Sequence, residues 1–335
     1  MDEAVDLVTL GEVMLGLRAP QGSLLENTSS LQCLVAGAEV NVAIGLARLG
    51  LKAAWIGKLP RHPLAANLVS TIRGQGVITD HIVWCEDGRL GTMYLELGVP
   101  PRANRILYDR KNSAASTLSP EEVNWKAVEK ARHFHLTGIT PALSASCLAT
   151  AQKALETARS NNMSISFDVN YRSALWPPEE AGQVLSTLIL GVNLLCVSRE
   201  EAGELFGVKG ESEDLARRLR DRYENQIVVV KQGQAGAVLY DGKKLLRSHT
   251  YPAVEVNRQG VGDAFLSGVL FGFLNGDLEM GLEYGSAMAA LKLTLIDVNY
   301  PLLSREDVQD LLRHKGKNGP VPPLGYGGGS YEVKR

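Results

Sequence analysis

The segment that decides the fold is Val254-Glu-Val-Asn-Arg-Gln-Gly-Val-Gly-Asp-Ala-Phe-Leu-Ser-Gly-Val-Leu-Phe-Gly-Phe-Leu274. Its apolar residues from Ala264 to Leu274 cover nearly every side of a helix, which is typical of a buried helix. Gly260 and Gly262 precede that helix and allow a tight turn with a close approach of the backbone to a ligand. Asp263 follows where the helix would begin, and an acidic side chain suits a helix N-terminus. The segment therefore predicts a glycine turn that leads into a buried helix.

The same turn predicts a chemistry. The unpaired amides of Gly260, Val261 and Gly262 at the helix start would form a binding site for a phosphate. The Asp263 carboxylate beside them could take a proton from an attacking hydroxyl while the amides hold the moving phosphoryl group. Taken alone, however, these residues are more often only a tight turn with an acidic helix start and no catalytic role.

Composition indicates a globular protein with ample material for a core. Of the 335 residues, 45% are hydrophobic and 21% are charged, which fits one large α/β domain or two ordinary ones. The formal net charge of −2 and the absence of a concentrated Lys/Arg block argue against binding to nucleic acid.

Features of targeting and redox chemistry favour the cytoplasm. The acidic N-terminus lacks the apolar region of a signal peptide, and the longest apolar run, Leu185 to Val197, is too short to span a bilayer. Cys33, Cys85, Cys147 and Cys196 lie far apart without a Cys-x-x-Cys pair. They are interpreted as reduced and mostly buried residues, with no metal site expected.

Predicted strands alternate with helices from Leu7 to Thr294, which indicates an α/β fold, a three-layer αβα sandwich with a mostly parallel central sheet. No Gly-x-x-x-x-Gly-Lys-Ser/Thr and no Gly-x-Gly-x-x-Gly occurs, so P-loop and standard dinucleotide-binding classes lack support. We expect one domain over residues 1–312. From Arg313 onward nine of 23 residues are Gly or Pro, which predicts a disordered tail over 313–335.

The run Gly260-Val-Gly-Asp-Ala-Phe265 resembles the C-terminal signature of the ribokinase-like (PfkB) carbohydrate kinases, whose common form is Asp-Thr-Thr-Gly-Ala-Gly-Asp. The resemblance implies that Asp263 is the catalytic base and that the Gly260, Val261 and Gly262 amides form the anion hole. It also implies the ribokinase-like sandwich with a small β-sheet lid.

Three residues before that run depart from the common form. Asn257 replaces the first Asp, and Arg258 and Gln259 replace the two Thr. The Arg resembles a variant among the 2-keto-3-deoxygluconate kinases. The changes at Asn257 and Gln259 bear on a monovalent-cation site nearby more than on the base.

A second signature lies near the N-terminus. The run Val35-Ala-Gly-Ala-Glu-Val-Asn-Val-Ala-Ile-Gly-Leu-Ala-Arg-Leu-Gly50 has helical spacing of its apolar residues. It resembles the family pattern Gly-Gly-Ala-Glu-x-Asn-x-Ala, in which the second Gly and the Asn border the sugar pocket. The resemblance thus assigns Gly37 and Asn41 to the substrate, with Ala36 in place of the first Gly.

We expect the lid to be inserted at about residues 12–34 and 88–112. Two extended pieces, Thr92 to Leu97 and Arg105 to Lys111, lie in the second insertion. By pattern alone Tyr94, Tyr108 and Arg110 are ordinary residues of an exposed sheet face. The resemblance to 2-keto-3-deoxygluconate kinases implies instead that all three contact the sugar.

The ends of two central strands contribute the rest of the expected sugar site. Ile139 matches a family position that packs on the sugar, and Arg172 matches a substrate-binding arginine in the element Asp168-Val-Asn-Tyr-Arg172. Ligands gather at the carboxyl edge of open parallel sheets. Because a guanidinium pairs well with a planar carboxylate, Arg110 and Arg172 in one pocket would favour an acid sugar.

The expected nucleotide site includes Gly262 and follows the last strands. A Ser-x-x-Glu capping box explains Ser198 and Glu201, and the resemblance also puts the glutamate close to the magnesium and phosphate region. It further assigns Lys231 and the turn residues Gly233 and Gly236 to ATP. Both ATP and Mg²⁺ are therefore implied as cofactors.

Together these features predict an ATP-dependent kinase that phosphorylates the terminal hydroxyl of 2-keto-3-deoxygluconate or a close relative. The resemblance also implies a homo-oligomer, a dimer or larger, with no nucleic-acid or membrane partner. Two alternatives stay open. One is a neutral-sugar kinase of the fructokinase or ribokinase type, and the other is a non-catalytic sugar-binding member of the fold.

Overall fold

A computed structural model describes residues 5–99, 101–297 and 303–313 of the chain. Its strands are β1 (Val5–Leu10), β2 (Met14–Arg18), β3 (Gln32–Ala36), β4 (Ala53–Ile56), β5 (Lys58–Pro60), β6 (Val83–Cys85), β7 (Thr92–Glu96), β8 (Arg105–Asp109), β9 (Ala131–Thr137), β10 (Ser164–Asp168), β11 (Leu194–Ser198), β12 (Ile227–Lys231), β13 (Ala237–Tyr240) and β14 (Leu245–Arg247). Its α-helices are α1 (Ala38–Arg48), α2 (Pro63–Gly74), α3 (Trp125–Glu129), α4 (Ala145–Ser160), α5 (Pro178–Leu188), α6 (Arg199–Phe206), α7 (Ser212–Tyr223), α8 (Val261–Leu274), α9 (Leu278–Leu293) and α10 (Arg305–Arg313).

The central sheet has the strand order β14-β13-β12-β11-β10-β9-β1-β4. The six strands from β12 to β4 are parallel, and β13 and β14 continue the sheet in antiparallel pairing. The mostly parallel sheet predicted from the sequence is confirmed. Its parallel strands all end at one edge, which brings their following loops together.

Both faces of this sheet are buried, as its apolar strands require. In β11, Leu194 and Cys196 join the core on the side of α1, α2, α8 and α9. Leu195 and Val197 alternate to the other side, toward α4, α5, α6 and α7. The three-layer αβα sandwich is therefore confirmed.

Helix α8 is buried, as its apolar sequence predicts, and glycines set its distance from α9. A Cβ on Gly268 would lie 2.2 Å from the Gly285 nitrogen, and one on Gly272 would lie 2.2 Å from Gly281 Cα. These glycine pairs allow the two helices to pack closely. The C-terminal end of α9 reaches the segment before α8, where the Val256 amide donates to the Leu293 carbonyl at 2.8 Å.

A second sheet, of order β3-β2-β7-β8, covers the carboxyl edge of the central sheet and forms the lid. The sequence predicted its strands β7 and β8, which pair in antiparallel fashion. The first expected insertion, residues 12–34, contains β2 and the start of β3. Met14, Leu34, Met93 and Leu95 form a small apolar cluster on the inner face of the lid.

Several local features differ from the sequence analysis or fall outside the described residues. Helices α5 and α7 were not predicted, and the apolar run from 185 to 197 divides between the end of α5 and strand β11. All four cysteines are free; Cys147 and Cys196 are buried, but Cys33 is exposed. Arg313 ends α10, and residues 314–335 of the predicted tail lie outside the described residues.

Within the described ranges, no helix combines the length and the apolar character that a membrane span requires.

Candidate active site

A cavity of about 260 Å³ lies between the lid and the carboxyl edge of the central sheet. The start of α1, the inner lid, the loops after β9 and β10 and the start of α8 all contribute to its wall. The predicted substrate residues that line it are Gly37, Asn41, Tyr108, Arg110, Ile139, Arg172 and Asp263. The structure thus brings together residues from both ends of the chain.

Asp263, in the first turn of α8, is half-buried at the floor of the cavity. Its Oδ2 accepts a hydrogen bond of 2.7 Å from Asn41 Nδ2, so Asn41 orients this carboxylate. Burial raises the pKa of Asp263 to about 6, although Asn41 and Arg172 oppose that rise. The carboxylate is therefore charged at neutral pH yet basic enough to accept a proton.

The glycine turn presents backbone amides to the cavity. Gly260 adopts the left-handed region with φ of 76°, and a Cβ on Gly262 would meet no atom within 4 Å. Among the described residues the amides of Gly260, Gly262 and Asp263 have no acceptor, as expected at a helix start. The Val261 amide differs from the prediction because it donates to the Arg258 carbonyl at 3.3 Å. The open donors are those of Gly260, Gly262 and Asp263.

Arg110 enters the cavity with a partner that the sequence analysis missed. Its Nε donates to Glu12 Oε2 at 2.8 Å, and its Nη2 also contacts that oxygen. Ser113 Oγ donates to Glu12 Oε1 at 2.6 Å, so the buried carboxylate is held on both oxygens. Glu12 follows β1 at the carboxyl edge of the sheet, and this position in the sequence could have indicated that it belongs to the site. The pair fixes the guanidinium and offsets its charge.

Arg172 lies exposed on the loop after β10 and lines the cavity without a carboxylate partner among the described residues. Its Nη1 donates to the carbonyl of Tyr171 at 3.1 Å. The Tyr171 amide in turn donates to Glu201 Oε1 at 2.8 Å. Glu201 therefore holds the loop that carries Arg172.

Tyr94 does not line the cavity, in contrast to the prediction. In the lid sheet Met93 lies opposite Tyr108, whereas Tyr94 lies opposite Leu107. Since neighbouring strand residues point to opposite faces, Tyr94 faces outward and Met93 takes the inner position. Because side chains alternate between the two faces of a strand, the pairing of β7 with β8 could have shown that Met93, and not Tyr94, faces the cavity.

Glu39 is a second carboxyl group of the cavity that received no role from the sequence. It is buried, and its Oε1 accepts hydrogen bonds of 2.7 Å from both Thr137 and Thr140. Burial raises the pKa of Glu39, which favours its neutral form. Gly11 makes room for this side chain, since a Cβ there would lie 2.3 Å from Glu39 Cδ.

The predicted nucleotide residues lie along the same sheet edge, but the side chains of three of them are already engaged. Ser198 and Glu201 form the reciprocal capping box of α6, with bonds of 3.1 and 2.7 Å. Lys231 Nζ contacts both oxygens of buried Asp168, at 2.7 and 3.0 Å. Burial opposes the charge on Lys231, yet Asp168 raises the pKa of this ammonium above its ordinary value.

The turn after β12 is partly closed by its own hydrogen bonds: the Gly236 amide donates to the Gly233 carbonyl at 3.1 Å, and the Gly236 carbonyl accepts from the Gln232 amide at 2.8 Å. Gly233 and Gly236 both have positive φ values, 60° and 88°. A Cβ on Gly236 would lie 2.7 Å from the Ser248 carbonyl oxygen, so only glycine allows this close approach.

Among the residues that the structure describes, no three His, Cys, Asp or Glu side chains group as a metal site.

Comparison with known proteins agrees with this arrangement. The family model for pfkB family carbohydrate kinases matches residues 5–305. The chain therefore belongs to the pfkB family and is a carbohydrate kinase.

The relatives are similar over nearly their whole length. The chain is 35% identical to a 2-dehydro-3-deoxygalactonokinase from Haloferax volcanii, over 92% of this chain and 96% of the relative. It is 30% identical to a 5-dehydro-2-deoxygluconokinase from Bacillus velezensis, over 87% of this chain and 89% of that protein.

Solved structures show the same fold. The crystal structure of a 2-dehydro-3-deoxygluconokinase from Thermotoga maritima matches with a TM-score of 0.88 and 30% identity, over 93% of this chain and 99% of that one. A structure described as a putative ribokinase II from E. coli, in complex with ATP and Mg²⁺, matches with a TM-score of 0.83 and 21% identity, over 92% and 99% of the two chains. The predicted ribokinase-like fold is confirmed.

Proposed function

We propose that this carbohydrate kinase transfers the γ-phosphoryl group of ATP to the terminal hydroxyl of 2-keto-3-deoxygluconate or a closely related keto-deoxy sugar acid. The observation that carries the proposal is the presence of Arg172, without a carboxylate partner among the described residues, in the same cavity as the base Asp263. A substrate carboxylate would balance that charge. The names of the Haloferax, Bacillus and Thermotoga relatives support a keto-deoxy sugar acid.

The chemistry is a direct phosphoryl transfer. Asp263 accepts the proton of the substrate hydroxyl, and the hydroxyl oxygen forms a bond to the γ-phosphorus. The bond between that phosphorus and the bridging oxygen breaks, and its electron pair leaves with ADP. The Asn41 hydrogen bond orients Asp263 for this proton transfer. The raised pKa of Asp263, about 6, suits a base that works near neutral pH.

The transferred group would bind at the start of α8. We assign the open amides of Gly260, Gly262 and Asp263 to its oxygens, because donors at a helix N-terminus stabilise negative charge. Val261 contributes less, since its amide already donates to the Arg258 carbonyl. The open space beside Gly262 allows the phosphate to approach the backbone.

The rest of ATP would extend along the sheet edge toward Gly233 and Gly236. The Gly233 amide, which has no acceptor among the described residues, would donate to phosphate or ribose there, while Lys231 is neutralised by Asp168. Mg²⁺, when bound with ATP, neutralises phosphate charge and is held mostly by phosphate oxygens and water. Glu201 is the acidic residue that we place closest to it, although both its oxygens accept backbone hydrogen bonds.

A second candidate is a kinase of a neutral sugar. The Glu12–Arg110 ion pair favours it, because Glu12 already offsets one of the two cationic charges that suggested an acid substrate. The argument for an acid then depends on Arg172 alone.

A substrate panel tests the proposal. We expect ADP release from ATP and Mg²⁺ with 2-keto-3-deoxygluconate, 2-keto-3-deoxygalactonate or 5-dehydro-2-deoxygluconate, and little with fructose, ribose or adenosine. Turnover of fructose or ribose alone would replace the acid by the neutral-sugar alternative. Binding of a sugar acid in a thermal-shift titration, without any turnover, would indicate a non-catalytic member of the fold.

We also propose a homo-oligomer that forms through the outer face of the lid, in the cytoplasm where ATP is available. Tyr94 and Leu107 form a short cross-strand apolar row on that face, and Leu107 is 53% exposed; Leu17, opposite Tyr94 on β2, packs against the main core. Apolar rows of this kind mark protein contacts. Light scattering should give at least twice the chain mass of 36.2 kDa, and Leu107→Asp should lower it. A monomeric wild-type protein at micromolar concentration would contradict this.

A further inference from the structure

Lys292, in the last turn of α9, is completely buried, with 0% of its surface exposed. Its Nζ donates to the backbone carbonyl of Asn257 at 3.3 Å. Within the described residues it forms no ion pair. An ammonium that leaves water without a bound counterion is energetically costly, so a protein that keeps one usually uses its charge.

The Asn257 carbonyl, which accepts the hydrogen bond of the Lys292 ammonium, belongs to the loop that presents the proposed anion-hole amides. Asn257 lies three residues before Gly260, the N-cap of α8. The same loop is fixed from α9 and its following segment, because the Asn257 amide donates to Leu293 and Asn257 Nδ2 donates to the Ile296 carbonyl at 2.8 Å. Asn257 Oδ1 in turn accepts from the Gln259 amide at 3.0 Å.

Negative charge near Lys292 favours its protonated form. It comes from the C-terminal end of α9 and from two carboxylates. The C-terminal end of a helix carries partial negative charge, and Lys292 lies in the last turn of α9. Burial lowers the pKa of Lys292 to about 8, and the carboxylates of Asp297 and Asp263 oppose that fall. Arg18 of the lid contacts Asp297 at 3.4 Å, so part of the Asp297 charge is shared. The ammonium is mostly protonated at neutral pH.

We propose that Lys292 is a positioning residue of phosphoryl transfer: its ammonium is a built-in cation that fixes the Asn257–Gly260 loop and adds positive charge behind the anion hole. The inference rests on the proposed kinase function. Lys292 exchanges no proton and forms no bond in the reaction; the bonds that form and break are those between phosphorus and oxygen described above. Because the charge is part of the chain, the enzyme needs no bound K⁺, Na⁺ or NH₄⁺ at this position.

The first test uses the wild-type protein. Turnover is measured in a buffer whose only monovalent cation is tetramethylammonium, and again with added K⁺, Na⁺ or NH₄⁺. We expect the rates to agree within about twofold. Activation of tenfold or more by K⁺ or NH₄⁺ would overturn the proposal. Absence of turnover in every buffer and with every sugar would instead contradict the kinase function itself.

The second test removes the charge. Lys292→Met keeps most of the side-chain volume and should lower kcat at least tenfold, with little change in the KM for the sugar. Lys292→Ala leaves a cavity, and NH₄⁺ or K⁺ should restore at least part of its lost kcat while tetramethylammonium should not. Lys58→Met is the matched control, because its side chain is only 10% exposed and pairs with Glu122 away from the turn.

These variants separate a charge effect from simple damage to the fold. If Lys292→Met keeps wild-type kcat, the proposal is wrong. If Lys292→Ala is inactive but folded by thermal melting and does not respond to NH₄⁺ or K⁺, a packing role replaces the electrostatic one. If neither variant folds, the cation dependence of the wild-type enzyme still decides.

Discussion

Asp263→Asn is expected to lower kcat by about 10²- to 10⁴-fold, the usual contribution of a general base. The amide cannot accept the hydroxyl proton, whereas it keeps the size of the carboxylate and can still face Asn41. Initial rates with ATP and the best sugar of the panel measure the effect. Asp214→Asn, an exposed change at the start of α7, is the control and should behave as wild type. Near-normal turnover of Asp263→Asn would exclude this residue as the base.

The same variant should be more stable than wild type at high pH. The folded protein raises the pKa of Asp263 from 3.8 to about 6, so the charged form is disfavoured in the fold. Above pH 6 this opposes folding by about 1–2 kcal/mol for a half-buried group. The cost vanishes below about pH 4, where the carboxyl is protonated in both states. Thermal melts of both proteins at pH 8 and at pH 4 measure this effect. The variant should have a higher Tm than the wild type at pH 8, and the two Tm values should be similar at pH 4.

The acidic limb of the activity profile provides a related check. Because the base must be ionised, kcat/KM of the wild-type enzyme should fall as pH decreases through about 6. A limb that follows the unperturbed value of 3.8 would show that burial does not tune Asp263 in solution.

Arg172→Met is expected to lower kcat/KM for the keto-acid substrate by about 10²-fold, because charge-assisted hydrogen bonds contribute about 1.5–3 kcal/mol. The methionine keeps an apolar stem but has no charge and no donors. Arg172→Lys should recover only part of the loss, since an ammonium lacks the fork that binds both carboxylate oxygens. Turnover of each sugar acid, with saturating ATP, measures the change.

The control for this prediction is Arg105→Met, an exposed arginine of β8 that does not line the cavity. Any residual rate with fructose should be unchanged in Arg172→Met, because fructose has no carboxylate for the Arg172 guanidinium to bind. An equal loss for acid and neutral sugars would show that Arg172 shapes the cavity and does not select charge. No loss for the acid would leave Arg110, already paired with Glu12, to bind it.

The scaffold could be predicted because it depends on local periodicity. Apolar strands such as β11 are buried on both faces, and this produces the continuous hydrophobic runs that the sequence shows. The turn from Gly260 to Asp263 was predictable for a similar reason, since glycine, a helix start and an acid follow one another directly. The family resemblance then added which strand ends meet at the cavity.

The sequence by itself thus determined the αβα scaffold and the glycine turn that leads into Asp263, and the family resemblance added most of the residues that line the cavity. Only the tertiary structure decided which charges meet. Asn41 and Asp263 are 222 residues apart, and Glu12 and Arg110 are 98 apart, so no local pattern reveals their hydrogen bonds. The outward face of Tyr94 depends on strand register, and Lys292 is buried where the end of α9 meets the loop before α8. Side-chain pairing across a fold is set by the packing of whole elements, and local sequence carries no record of it.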